Sequence, residues 1–206
     1  MQYIAKTPQQ SELQTAKFIW IASCCVYTGF EMHLSQRLEL FPEYTVTQLL
    51  FKDVKNATDL RKNAIAGEIS GALINPSVLV DPFQVLVATN KALHLQKIGK
   101  MKTRSLYSEI IFNLSPTNNI SEAFKNFGIS DSDSAVQVVL VHADAEQNNM
   151  DDILSKVDGQ QISVHHISSL SNIAKIKKLY KVSPQEELCG SLLDAVICRM
   201  ATKDVL

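Results

Sequence analysis

The clearest chemical signal in this sequence is a stretch of 27 residues, Pro82 to Ser108, that contains neither Asp nor Glu. The whole chain has a net charge of -1, so the positive charge of this stretch is a local feature. Lys and Arg side chains neutralise phosphates, and a concentration of them on one surface attracts polyanions. A solvated surface without a ligand is the alternative interpretation of such a run. The candidate phosphate-binding residues are Lys91, Lys97, Lys100, Lys102 and Arg104.

A predicted helix over residues 83–98 must position the first of these lysines. On a wheel of about 3.6 residues per turn, apolar residues cover most of the circumference, and Asn90, His94 and Lys97 form a polar wedge. This pattern predicts a largely buried helix. Lys91 falls outside the wedge, so its ammonium group must reach water along its own methylene chain or line a polar pocket.

The C-terminal segment carries a second candidate surface. Ser183, Pro184 and Glu186 have the spacing of a capping box and predict the start of one long helix. The apolar residues of this helix span an arc of about 180°, whereas a one-sided surface helix needs only about 100°. Either the domain core or a partner protein must cover the excess, and the sequence leaves both possibilities open.

Motifs for self-sufficient catalysis are absent from the sequence. The seven glycines form neither a G-x-G-x-x-G nor a G-x-x-x-x-G-K-[ST] motif, so no cradle for nucleotide phosphates is predicted. No histidine or cysteine has a partner at metal-ligand spacing, and no G-x-S-x-G motif is present. We therefore predict no catalytic, cofactor-binding or metal-binding residue, and a chain that is not an enzyme. The four cysteines lack C-x-x-C spacing, which favours a reducing compartment.

Local patterns predict the elements of an α+β fold. Two segments on either side of Phe41-Pro42-Glu43 predict a β-hairpin, and the apolar run from Ala135 to His142 predicts a buried central strand. Residues 161–166 alternate and predict an edge strand. The helix starts and stops are predicted at Asn56, Asp81, Asn119 and Ser183, and at Gly67, Gly99, Gly128 and Gly159. Their order predicts a single α+β domain with a small, mostly antiparallel sheet covered by several α-helices.

Residues 1–31 differ in composition from the rest of the chain. A polar segment precedes a 13-residue apolar run, Phe18 to Phe30, which is too short to span a bilayer and has the length of a signal-peptide core. Glu12 and the lack of a small-x-small cleavage site argue against secretion. We predict that residues 1–31 are an extension, poorly ordered or belonging to an alternative start, and that residues 32–206 form the domain. Secretion or membrane insertion directed by residues 18–30 is the least favoured alternative.

Several blocks of the sequence resemble those of a known family. They are LFKDVKNATDLRKNA at residues 50–64, INPSVLVDPFQVLVATNKALHLQKIGKMKTRSLYSEIIFNLSPTNNISEAFKNFGIS at 74–130 and LLDAVICRMATKDVL at 192–206. The resemblance covers residues 32–206 in sequence order, which makes it more specific than a single short motif. These blocks strongly resemble the kinase-binding subunit of the EKC/KEOPS complex, the TPRKB family.

The resemblance implies a non-catalytic regulatory subunit of the complex that forms N6-threonylcarbamoyladenosine in tRNA. In this family the subunit binds the PRPK/Bud32-type kinase directly and modulates the activity of the complex. The threonylcarbamoyl transferase and its small dimerisation subunit are indirect partners, and the expected location is the cytosol and nucleus. Because the family's C-terminal region meets the kinase, the predicted kinase-binding residues are Leu192, Val196, Arg199 and Met200.

The resemblance also implies an alternative function, because archaeal relatives hold the single-stranded CCA end of tRNA. Under this alternative the protein is a tRNA-binding module, and the basic run supplies its phosphate contacts. Tyr107 is a candidate for stacking on an unpaired base, although a tyrosine of the core fits the pattern as well. The tRNA-binding candidates are then Lys91, Lys97, Lys100, Lys102 and Arg104.

Overall fold

A computed structural model describes residues 32–143 and 150–205 of the chain. The predicted extension at residues 1–31 lies outside the described residues, so its character and the predicted boundary at Met32 stay predictions. In the described part, the elements are β1 (His33–Arg37), β2 (Tyr44–Lys52), α1 (Ala57–Ala66), β3 (Ala72–Ile74), α2 (Pro82–Lys97), α3 (Leu106–Leu114), α4 (Ile120–Phe127), β4 (Ala135–Ala143), α5 (Met150–Lys156), β5 (Gln160–Ile162), α6 (Ile167–Leu170), α7 (Ile173–Tyr180), α8 (Pro184–Cys189) and α9 (Leu192–Thr202).

The five strands form one antiparallel sheet in the order β1-β2-β4-β3, and β5 pairs with the last three residues of β2. The predicted hairpin is confirmed as β1 and β2, which pair from Arg37 and Thr45 to His33 and Leu49. The predicted central strand is confirmed as β4, whose neighbours are β2 and β3.

Helices cover both faces of this sheet. Successive side chains of a strand point to opposite faces, so the two long strands contribute to two separate hydrophobic clusters. On one face, Leu50 and Val139 belong to a cluster with residues of α2, α3 and α9. On the other face, Leu49 and Val138 belong to a cluster with residues of α1 and α5. The predicted fold class, a single α+β domain with a small antiparallel sheet and several helices, is confirmed.

Most of the predicted helix caps form, and one does not. The side chains of Asp81, Asn119 and Ser183 each accept a backbone N–H of the first helical turn. Asn56 does not cap α1: its amide donates to the carbonyl oxygen of Lys156 at 2.8 Å and accepts from the N–H of Asp158. This side chain therefore joins α1 to the α5–β5 connection, a contact between residues about a hundred positions apart.

The four glycines predicted to end helices differ in backbone conformation and in position. Gly67 and Gly99 end α1 and α2 with positive φ angles of 82° and 66°, which glycine adopts without strain. Gly128 follows α4 with a negative φ, and a Cβ atom there would lie 2.7 Å from the carbonyl oxygen of Phe124. Gly159 lies between α5 and β5 rather than at a helix end.

The structure corrects two local predictions and adds one strand that was not predicted. The three-residue strand β3 was not predicted, because so short a segment shows no alternation. The predicted edge strand over residues 161–166 ends at Ile162 and continues as a 3-10 turn, Val164–His166. The predicted long C-terminal helix is two helices, because Gly190 is extended and Ser191 with Asp194 forms a second capping box. No helix in residues 32–143 and 150–205 is long and apolar enough to cross a membrane.

Candidate functional site

Two lysines of the basic run, Lys91 and Lys97, lie on α2, and both form ion pairs within the protein. Lys97, in the last turn of α2, forms an ion pair with Glu43 in the β1–β2 turn and lies 4.5 Å from the ring centre of Phe41. The hydrogen bond from Lys97 lowers the pKa of the Glu43 carboxyl below its ordinary value. Lys97 is therefore engaged by the hairpin, and its predicted contact with phosphate stays a prediction.

Lys91 and Lys102 converge on the same carboxylate, that of Asp204 at the C-terminal end of the described chain. The distances from their Nζ atoms to the Asp204 oxygens are 2.6 Å and 2.9 Å. Lys91 also donates to the carbonyl oxygen of Met200 at 3.2 Å. Partial burial raises the pKa of Asp204, but the hydrogen bonds and charges of the two lysines outweigh it and lower the pKa to about 2.

A third lysine, Lys203, completes this cluster and was not predicted from the sequence. Its side chain is buried, with 4% of the residue exposed, and its Nζ lies 3.7 Å from the ring centre of Phe112. It donates to the carbonyl oxygen of Phe112 at 2.6 Å. Burial, together with the charges of nearby lysines, lowers the pKa of Lys203 to about 8. We call Lys91, Lys102, Lys203 and Asp204 the C-terminal clamp.

The loop that carries Lys102 is fixed by a buried carboxylate. One oxygen of Glu109, on α3, accepts the N–H groups of Lys102 and Thr103 at 3.0 Å and 2.8 Å and the Thr103 hydroxyl at 2.7 Å. The loop thereby presents Lys102 to the clamp and leads on to Arg104. Of the tRNA-binding candidates, Lys100 and Arg104 are the two whose side chains have neither a hydrogen-bond nor an ion-pair partner among the described residues.

Arg104 lines a cleft of about 850 Å³ formed by α1, β3 and its preceding loop, the start of α3, and α4. Two further cations line it, Arg61 on α1 and Lys125 on α4, and neither was predicted from the sequence. Arg61 pairs with Asp131 at 3.1 Å, whereas Lys125 has no acidic partner in the described part of the chain. No Asp or Glu lines the cleft within the described residues. Hydroxyl groups also line it, from Ser70, Ser105, Ser108, Ser121 and Ser130.

The remaining lining of the cleft is apolar and aromatic. Ile69, Leu73 and Ile111 are buried, and Phe124 is partly exposed. Tyr107 lines the cleft while its hydroxyl donates to the carbonyl oxygen of Val141 at 3.3 Å, so the ring is anchored to the sheet. Cations, hydroxyls and rings in one open cleft suit a ligand that combines phosphate groups with planar apolar groups.

The predicted kinase-binding residues divide between core and surface. Val196 and Met200 are fully buried in the cluster with α2 and α3, so in this structure they pack against the domain and are not accessible to a partner. A direct kinase contact through these two side chains stays a prediction. Leu192 is half-buried at the edge of the same face. A kinase-binding role for Leu192 and Arg199 stays a prediction.

Arg199 has an intramolecular partner that the sequence did not indicate. Its guanidinium donates to Glu186 on α8 at 2.8 Å and thereby links α9 to α8. Hydrogen bonds from the N–H and hydroxyl of Ser183 lower the pKa of Glu186, and the positive charge of Arg199 lowers it further. Lys177 on α7 pairs with Glu187 at 2.9 Å, so α8 is held from both sides by charged residues.

The helix α8 has no buried side chain and leaves Leu188 88% exposed. Together with α9 it forms what we call the α8–α9 surface. Its accessible or half-accessible apolar residues are Leu188, Leu192, Leu193, Ile197 and Cys198. A contiguous group of exposed apolar side chains, in contrast to a single one, is characteristic of sites where another protein binds. No cluster of His, Cys, Asp and Glu suited to a metal ion occurs among the residues that the structure describes.

Comparisons with known proteins give consistent matches over most of the chain. The profile of the family described as "Kinase binding protein CGI-121" matches residues 51–204. The EKC/KEOPS complex subunit TPRKB of Danio rerio is 76% identical over 174 residues, which cover 84% of this chain and 99% of that protein. The EKC/KEOPS complex subunit cgi121 of Aspergillus fumigatus is 31% identical over 167 residues, covering 74% and 88%. The subunit CGI121 of Candida glabrata is 27% identical over 149 residues, covering 71% and 84%.

Proposed function

The chain belongs to the CGI-121 family of kinase-binding proteins, and on that premise we propose that it is a non-catalytic regulatory subunit of an EKC/KEOPS complex. In this role it binds a PRPK/Bud32-type kinase directly and acts in the formation of threonylcarbamoyladenosine in tRNA, while other subunits carry out the chemistry. The names of its relatives support membership of the complex, and the family description supports the contact with a kinase.

The observation that carries the proposal is the α8–α9 surface. It lies within the residues matched by the kinase-binding family and presents Leu188 almost entirely to solvent. Burial of a leucine of this exposure in an interface contributes about 1.5 to 3 kcal/mol, and such anchors account for much of the affinity of an interface. The inner side of α9 is already covered by the core, so the partner binds the outer side and the edges.

A single substitution tests this placement. Leu188→Asp puts a charge where the partner should bury an apolar side chain, and we expect kinase affinity to fall at least about tenfold. The folded domain should be unaffected, since Leu188 has no buried contact. Affinity is measured by calorimetric titration of the purified kinase into the purified protein.

The matched control is Leu40→Asp, which places the same charge on a leucine that is 73% exposed in the β1–β2 turn. It should bind the kinase as the wild type does. Equal affinities of the Leu188→Asp and Leu40→Asp proteins would move the kinase interface away from α8. Absence of kinase binding by the wild-type protein would contradict the proposed function itself.

A second candidate function, capture of the single-stranded CCA end of tRNA, is favoured by the cleft. Arg61, Arg104 and Lys125 surround an opening without lining carboxylates, and Tyr107 and Phe124 offer rings beside it. Single-stranded RNA is bound by this combination, since cations contact the phosphates and aromatic rings stack on the bases. Of the five tRNA-binding candidates, Arg104 alone lines the cleft within the described structure.

This candidate is tested with a short RNA oligonucleotide that ends in CCA, compared with the same oligonucleotide in a blunt duplex. We expect the single-stranded form to bind, with a salt dependence that reflects its phosphate contacts. The duplex should bind much more weakly, because its bases are paired and stacked and cannot reach the aromatic rings of the cleft. Equal binding of both forms would identify a nonspecific electrostatic contact and exclude capture of an end.

A further inference from the structure

The C-terminal end of α9 is tied to other parts of the domain by polar side chains. The last carbonyl groups of a helix have no partner within the helix, and cations near them are favourable. Lys91 on α2 donates to the carbonyl oxygen of Met200 at 3.2 Å. Asn118, in the α3–α4 connection, donates to the carbonyl oxygen of Lys203 at 2.9 Å. Two separate regions of the chain thus hold the end of one helix.

The charges of the clamp strengthen this attachment. Asp204 accepts from Lys91 and Lys102 at once, and the adjacent Lys203 turns inward to the carbonyl oxygen of Phe112 on α3. Contacts from α2, from the loop after it and from α3 therefore converge on the two residues that follow α9. The partners are separated by about a hundred positions in sequence, so each contact constrains the tertiary arrangement.

Apolar packing holds α9 as far as its last turn, and the polar contacts of the clamp begin where that packing ends. Its fully buried side chains, Val196 and Met200, lie four residues apart and therefore about one helical turn apart. The half-buried Leu192 and Ile197 pack against the same cluster, so apolar contacts reach from the first turn to Met200. Beyond Met200 the angle of the helix end depends on the polar contacts, and the preceding α8 has no buried side chain that could fix that angle.

We infer that Lys91, Lys102 and Asp204 are positioning residues for kinase binding, which hold α9 at the angle at which the α8–α9 surface fits the kinase. The inference rests on the proposed kinase-binding function. None of the three residues has to touch the kinase, because a surface held in its binding geometry loses less conformational freedom on association. The inference also assigns two of the predicted phosphate-binding lysines to the support of a protein interface.

The test compares two substitutions of Asp204 in the full-length protein. Asp204→Asn preserves shape and removes the charge, whereas Asp204→Glu preserves the charge. We expect Asp204→Asn to weaken kinase binding about fivefold, the effect of losing two partly exposed ion pairs, and Asp204→Glu to restore most of the affinity. The ion pairs also contribute to stability, so affinity is measured at neutral pH, where both variants are expected to be folded and a role in stability alone would leave kinase affinity unchanged.

Lys102→Met provides a second variant, because its side chain is about half exposed and its loss leaves the core unchanged. It should weaken kinase binding to a similar extent. The matched control is Lys100→Met. The Lys100 side chain lies in the same loop and has no polar partner among the described residues, so this variant should bind the kinase as the wild type does. The oligonucleotide ending in CCA should bind Lys102→Met and the wild type equally.

Wild-type kinase affinity in both Asp204→Asn and Lys102→Met would overturn the inference. So would an equal loss in Asp204→Glu and Asp204→Asn, since charge would then not be the cause. Weaker RNA binding by Lys102→Met with unchanged kinase affinity would assign the lysine to phosphate contact instead. A wild-type protein that does not bind the kinase would overturn the proposed function rather than the role of the clamp within it.

Discussion

The cleft and the C-terminal clamp each contain three cations, but they differ in what surrounds those cations. In the clamp, Lys91 and Lys102 share the carboxylate of Asp204, and Lys203 is buried against Phe112. In the cleft, no carboxylate lines the opening within the described residues, and hydroxyl groups stand beside the cations. The clamp therefore joins parts of the protein, whereas the cleft is available to an anionic ligand.

The two regions are neighbours along the chain, which makes the difference instructive. Lys102 and Arg104 belong to one loop and lie two positions apart, yet the first pairs with Asp204 and the second lines the cleft. The loop bends at these residues, and its bends direct the two side chains to different sites, so proximity in sequence does not give a common role. A nearby carboxylate pairs with Lys102, whereas no carboxylate among the described residues pairs with Arg104.

The largest expected effect concerns Glu109, whose buried carboxylate holds the loop shared by both regions. Glu109→Gln removes a charge that accepts three hydrogen bonds, and we expect the free energy of unfolding to fall by about 3 kcal/mol. Denaturant unfolding measures it. Glu122→Gln, on the exposed surface of α4, is the control and should change stability by less than about 0.5 kcal/mol. Equal effects would mean that the carboxylate charge does not hold the loop.

The buried Lys203 should give the clamp an alkaline pH dependence. Its folded-state pKa of about 8 lies below the ordinary value of 10.5, so between these values the unfolded chain binds more protons than the folded chain. The cost of burying the charge is complete below pH 8 and disappears as the pH rises toward 10.5. Relative to Lys203→Met, the wild type should therefore gain about 2 to 3 kcal/mol of stability across this window. A constant difference between the two proteins would contradict the lowered pKa.

The comparison predicts that one of two double substitutions weakens RNA binding and the other does not. Arg104→Met with Lys125→Met removes two cations of the cleft, so affinity for the oligonucleotide ending in CCA should fall about tenfold at moderate salt, with a salt slope lower by about 1.4. Lys91→Met with Lys102→Met should leave both quantities unchanged. If the second pair weakened RNA binding as much as the first, the distinction between cleft and clamp would be wrong.

The smallest expected effect is an acid dependence from Asp204. Its pKa of about 2 lies below the ordinary 3.8, so the stabilisation is complete above pH 3.8 and is lost as the pH falls toward 2. Because the side chain is about one-third exposed, we expect the stability difference between the wild type and Asp204→Asn to be about 1 kcal/mol above pH 4. Denaturant unfolding between pH 6 and 2.5 should show it shrinking with acid. A difference that does not change with pH would mean that the ion pairs contribute nothing.

Much of the architecture follows from patterns only a few residues long. The caps at Asp81, Asn119 and Ser183 and the stops at Gly67 and Gly99 depend on local hydrogen bonds and backbone conformation, so their sequence spacing predicts them. The apolar run of β4 and the hairpin of β1 and β2 depend on side-chain alternation and turn residues. These signals were sufficient to predict the α+β class, and the quoted sequence blocks were sufficient to indicate the family.

The candidate sites depended on contacts between distant residues, which no local pattern contains. Lys203 and Phe112 are 91 positions apart, and Lys91 and Asp204 are 113 apart. The cleft unites side chains from α1, α3 and α4, so a search along the sequence found Arg104 and missed Arg61 and Lys125. The sequence by itself determined which helices and strands form and which family the chain resembles. Only the tertiary structure decided which cations face a carboxylate and which face solvent, because electrostatic pairing depends on distance in space and not on separation along the chain.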